Sequence, residues 1–379
     1  MNILFFTHYA ALYGANRSLV NMILGLRKLG YTSRVIVPSE GELTHRLAQL
    51  KCAFDIIPFY PSVYRLGRKS FFYRKRNYER NTLLLDKIDS IVITFKPDFI
   101  YSNSSVFDIG YRVANRTNTK HIWHIREMAE LHYGYHFFPS KEQFVDGLQR
   151  TDQVIAISQA VAKEVLNKNK IVNAKVIYNA VFSRETFDQI DTKKPKTDQP
   201  TVFTVVGMLH PSKQQALIIK AFALLSQEFD NIELWIAGSG QVLYHYYLKW
   251  LIRSKRMSSK IKMLGYITDL SSVYQQSDVV ITASMHEGLG RSTIEGMAYE
   301  KPVIGFNSGA TPELIEDRQR GLLFNTPTAI ALKEKMKQLL ISPELRKKMG
   351  KNGRAFVEKH FLEETYAIQL HQLIQSIPK

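Results

Sequence analysis

Hydrophobic residues recur along the chain in short runs that alternate with longer stretches of helical spacing. The runs are rich in β-branched and aromatic residues, whereas the stretches between them carry apolar residues on one helical face. This alternation is typical of βα units that build parallel sheets. Seven strands are predicted in the first half of the chain, over Asn2–Thr7, Ser33–Pro38, Phe54–Pro58, Phe99–Tyr101, His121–His124, Gln153–Ile157 and Lys175–Tyr178.

A polar segment separates this series from a second one. Residues 183–200 are charged and poor in apolar side chains, which indicates a linker. Six further strands are predicted, over Thr201–Val206, Ile232–Ala237, Ile261–Leu264, Val279–Thr282, Val303–Gly305 and Leu322–Phe324. Helices are predicted over Asn16–Leu29, Ala160–Asn167, Gln214–Glu228, Leu243–Lys255, Ser292–Tyr299 and Ala329–Ile341, and helical spacing continues over Pro343–Ile377. We therefore expect two α/β domains whose ligands bind at the carboxyl ends of the strands.

The composition agrees with this domain count. A chain of 379 residues with 45% hydrophobic and 22% charged residues is globular and long enough for two domains. No apolar run is long enough to span a bilayer, and the amino-terminal residues lack the features of a signal peptide. The single cysteine, Cys52, fits a reducing compartment, so we expect a cytoplasmic protein.

The net charge of +17 favours anionic partners. Residues 62–80 contain seven Arg or Lys residues against one Glu, interleaved with aromatic residues. This composition suits an acidic membrane surface, with the protein peripheral on the inner face of the membrane. A solvated, partly disordered loop is the alternative interpretation, and a nucleic-acid-binding surface would also explain the charge.

The strongest candidate site is the loop that follows the predicted strand Val279–Thr282. Gly288 and Gly290 allow a close backbone approach to a ligand, and a helix starting near Ser292 offers free amides and a positive dipole end to a phosphate. Glu287 and Glu295 lie at the two ends of this predicted anion site. The spacing Ser292-x-x-Glu295 also fits a capping box, in which Glu295 only caps its own helix.

This loop resembles the Glu-x7-Glu motif of the retaining glycosyltransferases of family four, which have the GT-B fold. Further segments resemble that family in the expected order along essentially the whole chain: Tyr13–Arg17, Val154–Ser158, Val176–Val181, Val205–Lys213, Ile236–Gly240, Leu264–Tyr266 and Lys301–Ile304. The resemblance implies two Rossmann-like, doubly wound domains that face a central cleft. Residues 1–183 would bind the acceptor and residues 184–359 the nucleotide-sugar donor, with a helix at about 360–379 packing back onto the first domain.

The resemblance also implies roles for particular residues. Glu287 would contact hydroxyls of the donor sugar, Lys213 would pair with the diphosphate, and His124 would face the donor sugar from the acceptor side. Glu295 would bind the ribose hydroxyls. The remaining donor-binding positions would be Gly14, Gly207, Gly288, Leu289, Gly290 and Arg291, whose backbone or side chain lies along the nucleotide.

Two departures from the family pattern concern the diphosphate. Met208 stands where the family usually has Arg, so Arg291 or Arg17 is a candidate replacement for the missing charge. In the amino-terminal loop, Tyr13 replaces a common glycine and Asn16 replaces a common acidic residue.

The implied reaction moves a sugar from a nucleotide-diphosphate sugar to an acceptor hydroxyl, with retention of the anomeric configuration. The chain has no Asp-x-Asp, no Cys/His metal spacing and no Walker-type loop, so we expect neither a metal nor another cofactor. The expected acceptor is a lipid-linked or surface-polysaccharide glycan, and no nucleic acid is expected. The alternatives are a basic nucleic-acid-binding protein, a transferase acting on transfer RNA, and a nucleotide-sugar epimerase.

Overall fold

The chain folds into two compact units. The structure, a computed structural model, describes residues 1–65, 70–192 and 199–378. Unit 1 consists of Met1–Ser183 and Glu363–Lys379, and unit 2 of Arg184–Leu362. Each unit is built around a parallel sheet, which confirms the predicted α/β class.

Unit 1 contains a seven-stranded parallel sheet with the order β3-β2-β1-β5-β6-β8-β9. Its strands are β1 Asn2–Phe6, β2 Thr32–Val37, β3 Ala53–Ile56, β5 Phe99–Ser102, β6 Lys120–Ile125, β8 Gln153–Ala156 and β9 Ala174–Val176, and β4 Val63–Tyr64 pairs with β7 His136–Phe137 in a separate ribbon. The strand order reverses between β1 and β5. Crevices for ligands form at the carboxyl ends of strands at such a reversal.

Helices cover both faces of this sheet. They are α1 Gly14–Lys28, α2 Glu42–Gln49, α3 Ser70–Leu83, α4 Leu85–Phe95, α5 Ile109–Thr117, α6 Ala129–Tyr133, α7 Lys141–Arg150, α8 Gln159–Val161 with a π-helical continuation Ala162–Asn167, and α17 Glu363–Ser376. One buried cluster joins α1, the sheet and α17, and another lies beneath α4 and α5. Helix α17 approaches α1 closely at Gly25, where an added Cβ would lie 2.7 Å from Ala367 Cβ.

Unit 2 contains a six-stranded parallel sheet with the order β12-β11-β10-β13-β14-β15. Its strands are β10 Thr201–Val206, β11 Ile232–Ala237, β12 Ile261–Gly265, β13 Val279–Thr282, β14 Val303–Phe306 and β15 Gly321–Phe324. The order reverses between β10 and β13, so the loops after these two strands are neighbours at one edge of the sheet.

The helices of unit 2 are α9 Arg184–Asp188, a 3-10 turn Pro211–Lys213, α10 Gln215–Leu225, α11 Val242–Ser254, α12 Ser271–Gln276, α13 Arg291–Ala298, α14 Thr311–Leu314, α15 Ala329–Leu340 and α16 Pro343–His360. The buried core cluster of unit 2 packs α10, α11 and α15 against one face of the sheet. Gly296 lets α13 pack directly on β13, because a Cβ there would lie 2.8 Å from Val280 Cγ2.

The predicted linker over residues 183–200 is partly wrong. Residues Arg184–Asp188 form a helix, and Phe187 is buried beneath the guanidinium of Arg354, 4.2 Å from the ring centroid. One aromatic residue in a polar segment is enough to fix it to unit 2. Residues 193–198 of the predicted linker lie outside the described residues.

Two other segments differ from their sequence interpretation. The predicted helical stretch Pro343–Ile377 is interrupted at Phe361 and Leu362, both buried, so that α16 ends before them and α17 begins after them. In the basic segment over residues 62–80, a helix begins at Ser70 and continues to Leu83, where a loop was the alternative interpretation. Residues 66–69 lie outside the described residues. Across the described part of the chain, every helix is too short or too polar to cross a bilayer.

Candidate functional site

The candidate site of unit 2 begins with a glycine crossing beside the end of β10. The amide of Gly207 donates to the carbonyl of Ala237 over 3.0 Å, and Gly238 has φ +139°. An added Cβ on Gly238 would collide with the carbonyl oxygen of Gly207. Glycine is therefore required at position 238 for these two loops to cross, and the crossing directs the chain after Gly207 along the carboxyl edge of the sheet.

Lys213 is brought to this edge by a 3-10 turn. His210 caps the turn, because its Nδ1 accepts from the amide of Ser212 over 3.2 Å. At the end of the turn, Lys213 Nζ donates to Glu287 Oε2 over 2.7 Å. The side chains of the pair are 22% and 14% exposed, so the ion pair is shielded but still reachable. The structure therefore brings together two of the predicted catalytic residues.

The Glu287 loop is fixed by the turn that follows β14. The carbonyl of Glu287 accepts from the amide of Ala310 over 2.9 Å, and Gly309, at φ +58°, leaves no room for a Cβ beside the Glu287 backbone. Ser308 Oγ donates to the carbonyl of Met285 over 2.5 Å. These contacts fix the backbone that carries the Glu287 side chain.

Helix α13 starts directly beside this pair. Its cap residue, Gly290, is left-handed at φ +92° and makes no side-chain capping bond. Leu289 is buried and anchors the loop, while Gly288 is partly exposed. The first amides of α13 and the helix dipole make this end of the helix a suitable position for a phosphate group.

Glu295 does not act as a capping-box residue. Ser292 is the second residue of α13 and not its cap, and the Glu295 carboxylate accepts from Tyr274 Oη over 2.9 Å and pairs with Arg291 Nε over 2.7 Å. Burial raises the pKa of Tyr274 well above its usual value, and the neighbouring Glu295 charge adds to this, so Tyr274 stays a donor. Glu295 is thus oriented by two donors on separate oxygens.

These loops line one pocket that is open to solvent. Its walls come from the ends of β10 and β13 and from the starts of the following helices, and its polar lining residues are Lys213, Gln215, Thr282, Ser284, Glu287 and Ser292. Lys213 supplies positive charge and α13 supplies amides, which is the chemistry that binds a diphosphate.

The two candidate replacements for the missing arginine have different surroundings. Met208 is 44% exposed on the loop after Gly207. Arg291 pairs with Glu295, as described above, and Arg17 lies in unit 1, where its Nε donates to the carbonyl of Leu12 over 2.9 Å. Of the two, Arg291 lies in the segment between Glu287 and Ser292, both of which line the pocket.

Gly14 and His124 lie in unit 1. Gly14 is the first residue of α1, and an added Cβ there would meet nothing within 4 Å. His124 is fully buried at the end of β6, with Nδ1 2.7 Å from Tyr101 Oη, while its Nε2 has no hydrogen-bond partner among the described residues. Burial lowers the pKa of His124 well below its usual value, and the charge of Arg126 adds to this, so the imidazole is neutral.

Asn16 has a structural role that explains why it is not acidic. Its Oδ1 accepts from Thr7 Oγ1 over 2.6 Å, and its Nδ2 donates to the carbonyls of Tyr9 and Ala11, each over 2.8 Å. A carboxylate cannot donate to two carbonyl oxygens. The amide is therefore needed to hold the loop between β1 and α1.

A polar cluster at the carboxyl ends of β5 and β6 was not predicted from the sequence. Arg126 and Glu127, at the end of β6, are bonded to the loop after β5: Arg126 Nε donates to Asn103 Oδ1 over 2.8 Å, and Glu127 Oε1 accepts from Ser104 and Ser105. Arg126 is 6% exposed. The available signal was the run of polar residues directly after each strand, at the reversal of the sheet.

A buried histidine in unit 1 predicts how stability depends on pH. His121 contacts Ser102 Oγ over 2.8 Å and Thr151 Oγ1 over 3.1 Å, and burial lowers its pKa to about 3. The unfolded chain, with a pKa near 6.5, then binds a proton that the folded chain does not. Stability should therefore be unaffected above pH 6.5 and fall by about 1.4 kcal/mol per pH unit for this group below it. The free energy of unfolding, measured by urea denaturation at several pH values between 7.5 and 4.5, should fall less steeply with decreasing pH in His121→Gln than in the parent. An equal dependence on pH in both proteins would contradict the assignment.

The described residues contain no group of three or more His, Cys, Asp or Glu side chains arranged to hold a metal ion. The predicted independence from metals therefore stays a prediction that requires a direct measurement.

Two family models match the chain. The model for glycosyl transferases group 1 matches residues 186–356, and the model for glycosyltransferase family 4 matches residues 13–182. Each model falls within one unit, and together they leave only short segments unmatched.

Curated relatives are similar over part of their length. A putative glycosyltransferase, EpsD, from Bacillus subtilis is 32% identical over 160 residues, which cover 41% of this chain and 42% of EpsD. Poly(ribitol-phosphate) alpha-N-acetylglucosaminyltransferase from Staphylococcus aureus is 23% identical over 288 residues, which cover 76% of this chain and 55% of that enzyme. The matches thus span about half the length of these relatives.

Solved structures match the whole chain. HepE from Anabaena, crystallised with UDP and glucose, superimposes with a TM-score of 0.79 at 20% identity, covering 99% of this chain and all of HepE. A glycosyltransferase from Rickettsia africae superimposes with a TM-score of 0.81 at 19% identity, covering 99% of this chain and 98% of that structure. At these identities the similarity establishes the GT-B fold class.

Proposed function

This chain belongs to the group 1 glycosyltransferases of family 4, and from that premise we propose that it transfers a sugar from a nucleoside-diphosphate sugar to an acceptor hydroxyl. The observation that carries the proposal is the Lys213–Glu287 pair beside the start of α13, at the strand-order reversal of unit 2. A cation and a helix start at one pocket suit a leaving diphosphate.

Each group in unit 2 has a role in this proposal. Lys213 and the amides of Leu289–Arg291 stabilise the charge that develops on the diphosphate as the bond to the anomeric carbon breaks. Glu287 accepts hydrogen bonds from hydroxyls of the donor sugar. Glu295, held by Tyr274 and Arg291, binds the ribose hydroxyls, since an oriented carboxylate has acceptor capacity left for them.

The reaction is proposed to proceed with retention and without a metal. The acceptor oxygen forms its bond to the anomeric carbon on the face from which the diphosphate leaves, and the acceptor proton passes to a diphosphate oxygen. Glu287 is already engaged by Lys213, which favours a role in orienting the sugar over one as the attacking nucleophile. In unit 1, His124 is proposed to contact a sugar hydroxyl through Nε2, because this atom has no partner among the described residues.

The proposed acceptor is a lipid-linked or surface glycan. The names of two relatives support this class, since one acts on poly(ribitol phosphate) and another, from Campylobacter jejuni, on an undecaprenol-linked saccharide. A UDP-sugar is the first donor to test, because HepE was crystallised with UDP and glucose and with UDP-glucose.

A transfer assay tests this function. The protein is incubated with UDP-, GDP- or ADP-sugars and a polyprenyl-linked or polysaccharide acceptor, with and without EDTA, and products are analysed by NMR. We expect acceptor-dependent release of nucleoside diphosphate, retention at the anomeric carbon, and equal rates with EDTA. Inversion, or loss of activity with EDTA, would refute the mechanism. Conversion of the donor without any acceptor would favour an epimerase instead.

We also propose that α3 contacts an acidic membrane surface. Phe72 and Tyr73 are 85% and 61% exposed, and the neighbouring Lys75 and Arg76 are also exposed, so aromatic and cationic groups lie next to each other. Aromatic rings and basic side chains together favour the headgroup region of anionic bilayers.

Vesicle sedimentation tests this surface. The double variant Lys75→Glu/Arg76→Glu should bind phosphatidylserine-containing vesicles at least about 10-fold more weakly than the parent, because each basic residue near the surface contributes about 1 kcal/mol. Lys347→Glu/Lys348→Glu changes the same charge at exposed positions of α16 and is the control. An equal loss in both pairs would exclude a specific contact through α3.

A further inference from the structure

The guanidinium of Arg126 is buried in unit 1 without a hydrogen-bonded anion. Its Nε donates to Asn103 Oδ1 over 2.8 Å, whereas Nη1 and Nη2 have no hydrogen-bond partner among the described residues. The residue is 6% exposed. A buried charge without a counter-charge is costly to a folded protein, so a residue of this kind indicates a purpose other than stability.

The adjacent carboxylate does not neutralise this charge by a direct bond. Glu127 Oε1 accepts from Ser104 Oγ over 2.5 Å, from the Ser105 amide over 2.8 Å and from Ser105 Oγ over 2.7 Å. Three donors on one oxygen hold Glu127 against the loop after β5. The carboxylate is therefore committed to positioning that loop.

The other groups near Arg126 are neutral. Burial lowers the pKa of His124 and raises the pKa values of Tyr101 and Tyr366, and the positive charge of Arg126 acts on all three. A phenol or a neutral imidazole can accept a hydrogen bond but cannot supply a negative charge.

The start of α1 lies next to Arg126. Asn103, which binds Arg126 through its oxygen, donates from Nδ2 to the carbonyl of Ala15 over 3.4 Å. The cap residue of this 15-residue helix, Tyr13, makes no side-chain capping bond. The hydroxyl of Tyr9 lies near both Arg126 and the amides of Ala15 and Asn16. The Tyr9 phenol thus accepts from the first amides of α1 and lies within electrostatic range of the guanidinium.

We propose that Arg126 and the first amides of α1 bind an anionic group of a substrate, a phosphate or a carboxylate, with Tyr9 turning aside as it enters. A planar guanidinium with two available N–H groups matches two oxygens of such a group, and the helix start adds amide donors and a favourable dipole. The group belongs to the diphosphate of the donor or to an acidic acceptor. Its identity as a substrate group rests on the proposed function, whereas anion binding does not.

Thermal denaturation with pyrophosphate tests the anion site directly. Lys213→Ala serves as the parent so that the unit 2 cation does not contribute. Without added anion, Lys213→Ala/Arg126→Met should melt at a higher temperature than the parent, since a buried charge is removed. Pyrophosphate should raise the melting temperature of the parent and leave that of the double variant unchanged. A lower melting temperature without anion, or equal responses to pyrophosphate, would overturn the proposal.

A second variant covers the case in which Arg126→Met does not fold. Lys213→Ala/Arg126→Lys retains the charge but loses the two-pronged geometry. Its dissociation constant for pyrophosphate, measured by calorimetry, should be about 10-fold larger than that of the parent. An unchanged constant would overturn the assignment of Arg126.

Kinetics and nucleotide binding of Arg126→Lys in the otherwise native chain identify the source of the anion. If the donor diphosphate binds here, stabilisation by UDP decreases and KM for the donor rises. If an acidic acceptor binds here, stabilisation by UDP is unchanged and KM for the acceptor rises. Unchanged values of both KM would overturn the assignment to a substrate. Absence of any transfer activity would count against the proposed function and leave the pyrophosphate result intact.

Discussion

Lys213→Ala should lower the turnover number by about 10²- to 10³-fold, the usual effect of removing one group that stabilises a developing negative charge. The reason is that Lys213 is the cation of the unit 2 pocket, 2.7 Å from Glu287 and next to the start of α13. Steady-state kinetics with a saturating donor measures this effect. The fall should be in kcat as well as in donor affinity, because the diphosphate carries more charge in the transition state than in the ground state.

Lys220→Ala is the matched control for this variant. Lys220 is an exposed residue of α10 in the same unit, so its removal changes the net charge equally without touching the pocket. A loss of activity shared by the two variants would mean that net charge, and not the position of Lys213, sets the rate.

Glu287→Gln should lower kcat by about 10²-fold, the magnitude expected when one oriented polar contact to the reacting group is lost. The amide keeps the shape of the side chain and still accepts from Lys213, but it cannot hold the charged partner or the sugar hydroxyls as strongly. The kinetic assay should be combined with a melting curve. An unchanged melting temperature would show that the loss of activity is not caused by a loss of folded structure.

Glu344→Gln removes an exposed carboxylate from the first turn of α16 and is the control for Glu287→Gln. Near-normal turnover of Glu287→Gln would show that Glu287 only positions Lys213. In the double variant Lys213→Ala/Glu287→Gln, the activation free energy should rise by less than the sum of the rises in the two single variants. The reason is that the two side chains act as one unit.

The strands and the order of the motifs could be predicted from the sequence, whereas several helices could not. Buried parallel strands such as Thr201–Val206 are continuous apolar runs, and the structure has β10 over the same residues. Helices such as α2 and α7 are short and largely polar on their exposed faces, so their apolar residues are too few to indicate a period.

The candidate site was predictable in unit 2 and only in part in unit 1. In unit 2, glycines and paired carboxylates follow strands within a short stretch of chain, and local spacing is enough to indicate a phosphate site. In unit 1, Arg126 meets Asn103 across two neighbouring strands. The capping-box interpretation of Glu295 failed because Ser292 lies inside α13, and because Tyr274, one of the partners of Glu295, comes from another helix. Contacts of long sequence separation leave no periodic signal.

The exception in the family pattern at Met208 now has a physical context. The side chain is 44% exposed on the loop that leads to Lys213, and Arg291 in the facing loop pairs with Glu295. Among the described residues that line the unit 2 pocket, Lys213 is therefore the basic one. For this reason its replacement has the largest expected effect.

Binding of nucleoside diphosphates to the folded protein tests the central claim most directly. Melting curves are measured with UDP, GDP and ADP for the wild-type chain and for Lys213→Ala. At 100 times its dissociation constant, a bound nucleotide should stabilise the wild-type fold by about 2.7 kcal/mol, and Lys213→Ala should lose much of that gain. No response of the wild-type chain to any of the three nucleotides, or equal responses in both proteins, would contradict the account.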